Sequence, residues 1–269
     1  MDLEKAFHRA LFSSFSWNKA LLVFPSLVLC GILIVFCRAL RFGASEWMGL
    51  SLIFLPILLS FALLLSVGVL VIRMYQYEQK SLKVGFKKLF VGSLDAVLGT
   101  VYLSIPPVLV YLLLWMVLGV FFLMKEIPGL GRIVNTVFVF APFLLILSTI
   151  LLCLLSAVLL FFMAPAAAKF SAKRLELARV VVTLFKARLL SRLLLFLMAL
   201  IPIGLFSSLL AWAAALTNVS FSYGEQSWTL ALEWFFLMIP FAALLTPAVI
   251  FFFQFAFEAE KLTEKEIAR

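Results

Sequence analysis

The stretch "FFMAPAAAKFSAKRLELARVVVTLFKARLLSR" (161–192) decides the reading of the whole chain. It opens as an apolar run fit for a membrane and stops at Pro165. It then places seven Lys/Arg from Lys169 to Arg192, before a second apolar run begins at Leu193. A segment of this kind is a stop-transfer flank, a helix lying on a membrane surface, or a binding site for something anionic. Its surroundings must choose among the three.

The composition sets the class. Of 269 residues, 65% are hydrophobic and 13% charged, whereas soluble domains are about half apolar and about a quarter charged. Thirty Phe residues do not fit a soluble surface, so an integral membrane protein is expected. The net charge of +9 matters through its position along the chain, not as a sign of nucleic acid. Cys30, Cys37 and Cys153 lie in or beside apolar runs, an odd count that argues against a disulfide framework. The single histidine, His8, excludes His-based metal clusters.

Stretches free of Asp, Glu, Lys and Arg run over 20–37, 47–72, 96–124, 133–168, 193–224 and 234–257. A hydrocarbon core of about 30 Å needs roughly 20 helical residues. Six helices are therefore predicted near 20–37, 48–72, 97–122, 139–164, 193–216 and 234–257, with Pro142 and Pro165 bracketing the fourth. The runs are continuous rather than alternating, which favours helices over barrel strands. One all-α membrane domain spanning 1–269 is expected. Residues 1–19 mix Asp2 and Glu4 with Lys5, Arg9 and Lys19, and no small-x-small site follows the first run, so an uncleaved anchor is expected.

Alternate connections divide the 22 Lys/Arg into 18 and 4, the larger share falling on the termini, 73–95 and 169–192. The positive-inside rule then puts both termini in the cytoplasm. Trp47, Trp212, Trp228 and Trp234 are expected at the outer interface, and Trp17, Tyr75 and Tyr77 at the inner one.

Prolines recur with regular spacing. Odd spans carry "FPSLVL" (24–29), "IPPVLV" (105–110) and "IPIGLF" (201–206); even spans carry "FLPILL" (54–59), "FAPFLL" (140–145) and "MIPFAA" (238–243). Ahead of each odd span stands a Phe with basic neighbours: "FHRALF" (7–12), "FKKLF" (86–90) and "FKARLL" (185–190). Three repeats are expected, each a cytoplasmic amphipathic segment followed by a helical hairpin. Proline frees a backbone carbonyl that must find another partner in lipid, and Ser26, Ser104, Ser207 and Ser208 stand nearby.

The opening stretch now reads as a surface helix. Phe170, Leu177, Val181, Leu184 and Phe185 share a stripe at helical spacing, with Lys169, Lys173, Glu176 and Arg179 on another face. Topology alone requires no such stripe. Lys173, Arg174, Arg179, Lys186, Arg188 and Arg192 are the candidate contacts to lipid headgroups.

The six-span layout, the "AP" ending span four and "KFSAKRLELARVVVTLFKARLLSR" (169–192) resemble a broad superfamily of poorly characterised bacterial six-helix inner-membrane proteins. It includes the membrane domain attached to some glycerophosphodiester phosphodiesterases. Relatives often carry an acidic residue soon after that Pro, where this chain has "AAAK". The resemblance implies fold and a bacterial inner membrane, and no enzymatic activity.

No Walker-type loop, metal-ligand cluster or hydrolase elbow stands in the sequence. Catalytic residues, cofactors and metals are accordingly not expected. Asp95 reads as a first-turn helix residue favoured by the helix dipole, and Gln254 as a bond between helices. Small residues in 58–68 and 147–158 read as close helix packing. The expectation is a non-enzymatic protein acting through contact with lipids, anionic ones above all, or as a partner of other membrane proteins or of itself. The alternative is a small transporter or permease component for an apolar or lipid-like solute.

Overall fold

In the computed structural model, residues 2–41, 46–80, 86–128, 131, 136, 140–169, 189–216 and 228–267 are described. They form α1 (Asp2–Ser13), α2 (Trp17–Leu40), α3 (Glu46–Gln79), α4 (Phe86–Glu126), α5 (Ala141–Lys169), α6 (Leu189–Leu216) and α7 (Trp228–Ile267). Six of these are long and apolar enough to cross a bilayer: Trp17–Leu40, Met48–Gln79, Ser104–Glu126, Ala141–Lys169, Arg192–Leu216 and Leu232–Thr263. Such runs are helical because backbone groups in hydrocarbon must be satisfied within the segment.

The packing repeats in threes. The second helices of the three hairpins, α3, α5 and α7, touch one another pairwise. The first helices sit outside: α2 lies against α3 and α7, and α4 against α3 and α5. By the same rule α6 belongs against α5 and α7; it packs well on α7 and only sparsely on α5. The three hairpins thus share a packing plan, apart from the sparse contact between α5 and α6.

Small residues set the closest approaches. A Cβ on Gly31 of α2 would stand 3.2 Å from the Met238 side chain of α7. A Cβ on Gly68 of α3 would overlap the buried Phe253 ring of α7. Lipid is as apolar as leucine, so these contacts hold the helices through dispersion and fit, not through hydrophobic expulsion. Hydroxyls add bonds between α3 and α4: Tyr111 Oη donates to the Ser51 carbonyl at 2.8 Å, and Ser66 Oγ lies 3.1 Å from Thr100 Oγ1. The three thiols are free, two of them buried.

Several boundaries differ from the sequence reading. The fourth membrane helix does not stop at Pro165 but continues to Lys169. Ala164, Ala166, Ala167 and Ala168 are buried beside that proline, and their packing offsets the one hydrogen bond that proline removes. The "FKKLF" segment is no separate surface helix, because α4 already begins at Phe86. Asp95 consequently lies in the third turn of α4, beyond the first-turn dipole effect proposed for it. The serines near the prolines bond other carbonyls: Ser26 to Leu22, Ser104 to Thr100 and Ser208 to Leu205. None of these is the carbonyl four residues before Pro25, Pro106 or Pro202. The even-span Pro56 has its own carbonyl taken by Ser60 Oγ at 2.7 Å.

Two belt assignments also change. Tyr75 is buried and bonded to a carboxylate, so it does not face the headgroup layer. Trp234 is buried too, with the Arg38 guanidinium 3.5 Å above its ring. Trp17 and Trp212 are exposed, as an interface residue should be. The side chains of Trp47 and Trp228 lie outside the described residues.

Candidate functional site

Charge gathers at the end of the bundle where α1, the start of α2, the end of α3 and the end of α7 meet. A short turn makes this possible. Ser14 closes α1 by donating through Oγ to the Leu11 carbonyl at 2.6 Å, and α2 starts at Trp17. The turn folds α1 back onto α7, where Phe7 meets Phe251 and Phe255 edge-on at 5.0 and 5.9 Å. Ala6 and Ala10 are fully buried on that face, while Phe12 and Phe15 are exposed on the other.

Lys19 lies under this turn with its side chain wholly buried. Its Nζ reaches Glu78 Oε2 at 2.6 Å, Ser13 Oγ at 2.6 Å and the Ser13 carbonyl at 3.3 Å. The Gln254 amide turns its oxygen to Lys19 Nζ at 2.8 Å and donates to the Ala10 carbonyl at 2.9 Å. Only this orientation faces donor to acceptor on both sides. The Tyr75 ring stands 5.2 Å from the same ammonium. A buried ammonium needs such partners, since an unpaired charge away from water costs many kcal/mol.

A second knot lies one turn further along α7. The Glu258 side chain is 4% exposed and accepts from Tyr75 Oη at 3.0 Å and from Gln79 Nε2, with Arg9 Nη2 at 3.6 Å. Gln79 in turn accepts from Lys261, whose ammonium also lies 4.4 Å from the Phe257 ring centre. Gln254, Glu258 and Lys261 follow one another at four and three residues along α7, so one helix face presents all three. Gln254 as interhelical glue was legible from sequence. Lys19, Glu78 and Glu258 were not: Lys19 and Glu258 sit just outside charge-free runs, and Glu78 lies past Arg73, beyond the end of one.

A third group lies on the other side of α7. Lys169 Nζ is 3.3 Å from Glu260 Oε2. Arg192, near the start of α6, is only 8% exposed and lines a cleft with Phe161, Phe162, Leu195 and Glu260. Of the six candidate headgroup contacts, Arg192 alone is described, and it faces this cleft. Lys173, Arg174, Arg179, Lys186 and Arg188 lie outside the described residues, as does the apolar stripe from Phe170 to Phe185.

Above these charges the interior is apolar. Phe161, Phe196 and Phe252 meet edge-to-face at 5.4 to 6.3 Å between α5, α6 and α7. Between α3, α4 and α5 a cleft carries Ser104 and Ser156 among apolar walls. Among the described residues no three His, Cys, Asp or Glu stand together as metal ligands. No protein-family model, curated protein or solved structure matches the chain.

Proposed function

We propose that this is a bacterial inner-membrane protein without catalysis of its own, which works through its basic cytoplasmic face by contact with anionic lipids or with a membrane partner. The observation that supports it most is the division of the molecule. The described core is filled by aromatic and aliphatic side chains, whereas most of the charged groups collect at one end. The 18 of 22 Lys/Arg carried by the termini and by 73–95 and 169–192 give that end a surface attractive to phosphate headgroups.

Topology is the first test. A reporter fused after Arg269 is expected to report the cytoplasm, and one inserted near Gly224 the exterior. An exterior C-terminus would remove the proposed face from the leaflet that attracts basic segments.

Lipid dependence is the second test. Phosphatidylglycerol added to the detergent-purified protein is expected to raise its thermal midpoint, while phosphatidylcholine changes it little. Raising salt from low to near 1 M, where the Debye length falls to about 3 Å, should remove most of the difference. Equal midpoints in the two lipids at low salt would refute the lipid reading.

A permease for an apolar or lipid-like solute is the second reading. What favours it is the threefold hairpin plan with a proline inside every membrane helix, from Pro25 in α2 to Pro240 and Pro247 in α7. Solute-dependent protection of buried cysteines from a membrane-permeant thiol reagent would support this reading over the first.

A further inference from the structure

We infer that the cleft between α5, α6 and α7 holds one anionic glycerophospholipid, its phosphate against Arg192 and one acyl chain along Phe161, Phe162 and Leu195. The inference rests on the lipid-contact reading and gives it a place and a ligand class.

The packing plan isolates this seam. α2 and α4 each fill the groove between two inner helices, but α6 meets α5 only sparsely. Among the described residues, the sparsely packed side of the groove ends, at the charged end of the bundle, in a cleft lined by all three helices. One acyl chain lies along its apolar wall, and the second stays in the surrounding bilayer.

Polarity runs along the cleft as it runs along a phospholipid. Phe161, Phe162 and Leu195 form apolar walls, and Arg192 and Glu260 stand at the polar end with Thr263. Lys169 reaches Glu260 there at 3.3 Å, so among the described residues two cations flank one carboxylate. The planar guanidinium of Arg192 takes two phosphate oxygens at once, which a zwitterionic choline headgroup offers less well because its own cation must lie beside Arg192 and Lys169. Glu260 lines the same cleft as Arg192. The apolar walls distinguish a lipid from free phosphate, which would use the cations alone.

The test counts lipid on the full-length protein. The wild type, purified in mild detergent from membranes containing phosphatidylglycerol and phosphatidylethanolamine, is expected to retain one phosphatidylglycerol per chain by native mass spectrometry. Arg192→Gln should lower the retained fraction about tenfold, the loss expected for hydrogen bonds to a charged group, and Arg192→Lys should restore part of it. Leu195→Trp fills the cleft without changing charge and should lower retention as well, so the proposal does not depend on the folding of one variant. Inorganic phosphate or glycerol phosphate should not displace the lipid at millimolar concentration.

Retention unchanged in both Arg192→Gln and Leu195→Trp would overturn this site while leaving lipid contact elsewhere on the chain intact. No preference for the anionic lipid in the wild type would remove the site and the wider reading together. Loss in Arg192→Gln alone, with displacement by inorganic phosphate, would reduce the site to a phosphate contact and overturn the acyl-chain part.

Discussion

Replacing Glu78 with Leu is expected to lower the thermal midpoint of the purified protein, and by more than replacing Lys19 with Met. The two halves of the pair are not equivalent. The Lys19 side chain is wholly buried, whereas that of Glu78 is 45% exposed at 2.6 Å from it. Without Glu78 the ammonium stays buried with only neutral acceptors, Ser13 and Gln254. Removing one partner of a buried pair costs about 3–5 kcal/mol. The partial exposure of Glu78 places the loss near the lower end, about 3 kcal/mol. Without Lys19 the carboxylate turns to water and the cost is that of unpaired amide and hydroxyl groups, about 1–2 kcal/mol.

The double variant Lys19→Met/Glu78→Leu should recover much of the loss, since apolar replacement of a whole buried pair is often neutral. Denaturant unfolding in detergent measures all three. A double variant as unstable as Glu78→Leu alone would show that the uncompensated ammonium is not the cause. The same series reads the docking of α1. Lys19 bonds the Ser13 carbonyl, and Gln254 bonds the Ala10 carbonyl, so both hold the last turn of α1.

The charge-free runs located all six membrane helices because hydrocarbon tolerates few charges over a length of about 20 residues. The same criterion hid the polar cluster. Lys19 and Glu258 flank charge-free runs and Glu78 lies beyond one, so cutting at charges assigns all three to water. Lys19 and Glu258 are buried where α1 folds back onto α7, a tertiary event with no signature in hydropathy. One signal was present: Gln254, Glu258 and Lys261 share a face of α7 by helical spacing. Tyr75 and Trp234 were misplaced for a related reason. Aromatic residues near a helix end are enriched at the interface, but a phenol or indole that finds a carboxylate or a guanidinium is equally at home inside. The proline spacing pointed to three hairpins, but which helix of each lies inside is read only from the packing.

Replacing Gly68 with Leu is expected to disrupt the bundle more than any other single change on α3. Gly68 faces Phe253 across the contact between α3 and α7, two of the three inner helices. A Cβ there already overlaps the phenyl ring, and Phe253 is fully buried with its ring 5.4 Å from that of Phe252. The ring has no free space to move into, so the helices must part. Gly68→Ala should cost about 1–3 kcal/mol, the usual range for overpacking. Gly68→Leu should exceed about 4 kcal/mol, the level at which single changes become exceptional. Gly204 provides the control, because a Cβ there meets nothing within 4 Å. Gly204→Ala should leave stability unchanged or raise it by about 0.5–1 kcal/mol, through the lower backbone entropy of alanine in a helix. The pair Gly68→Ala/Phe253→Leu tests the mechanism. A shorter side chain at 253 relieves the overlap, so the two changes together should cost about 0.5–3 kcal/mol less than their sum. Strict additivity, or equal effects of alanine at Gly68 and Gly204, would show that α3 and α7 do not meet at this glycine.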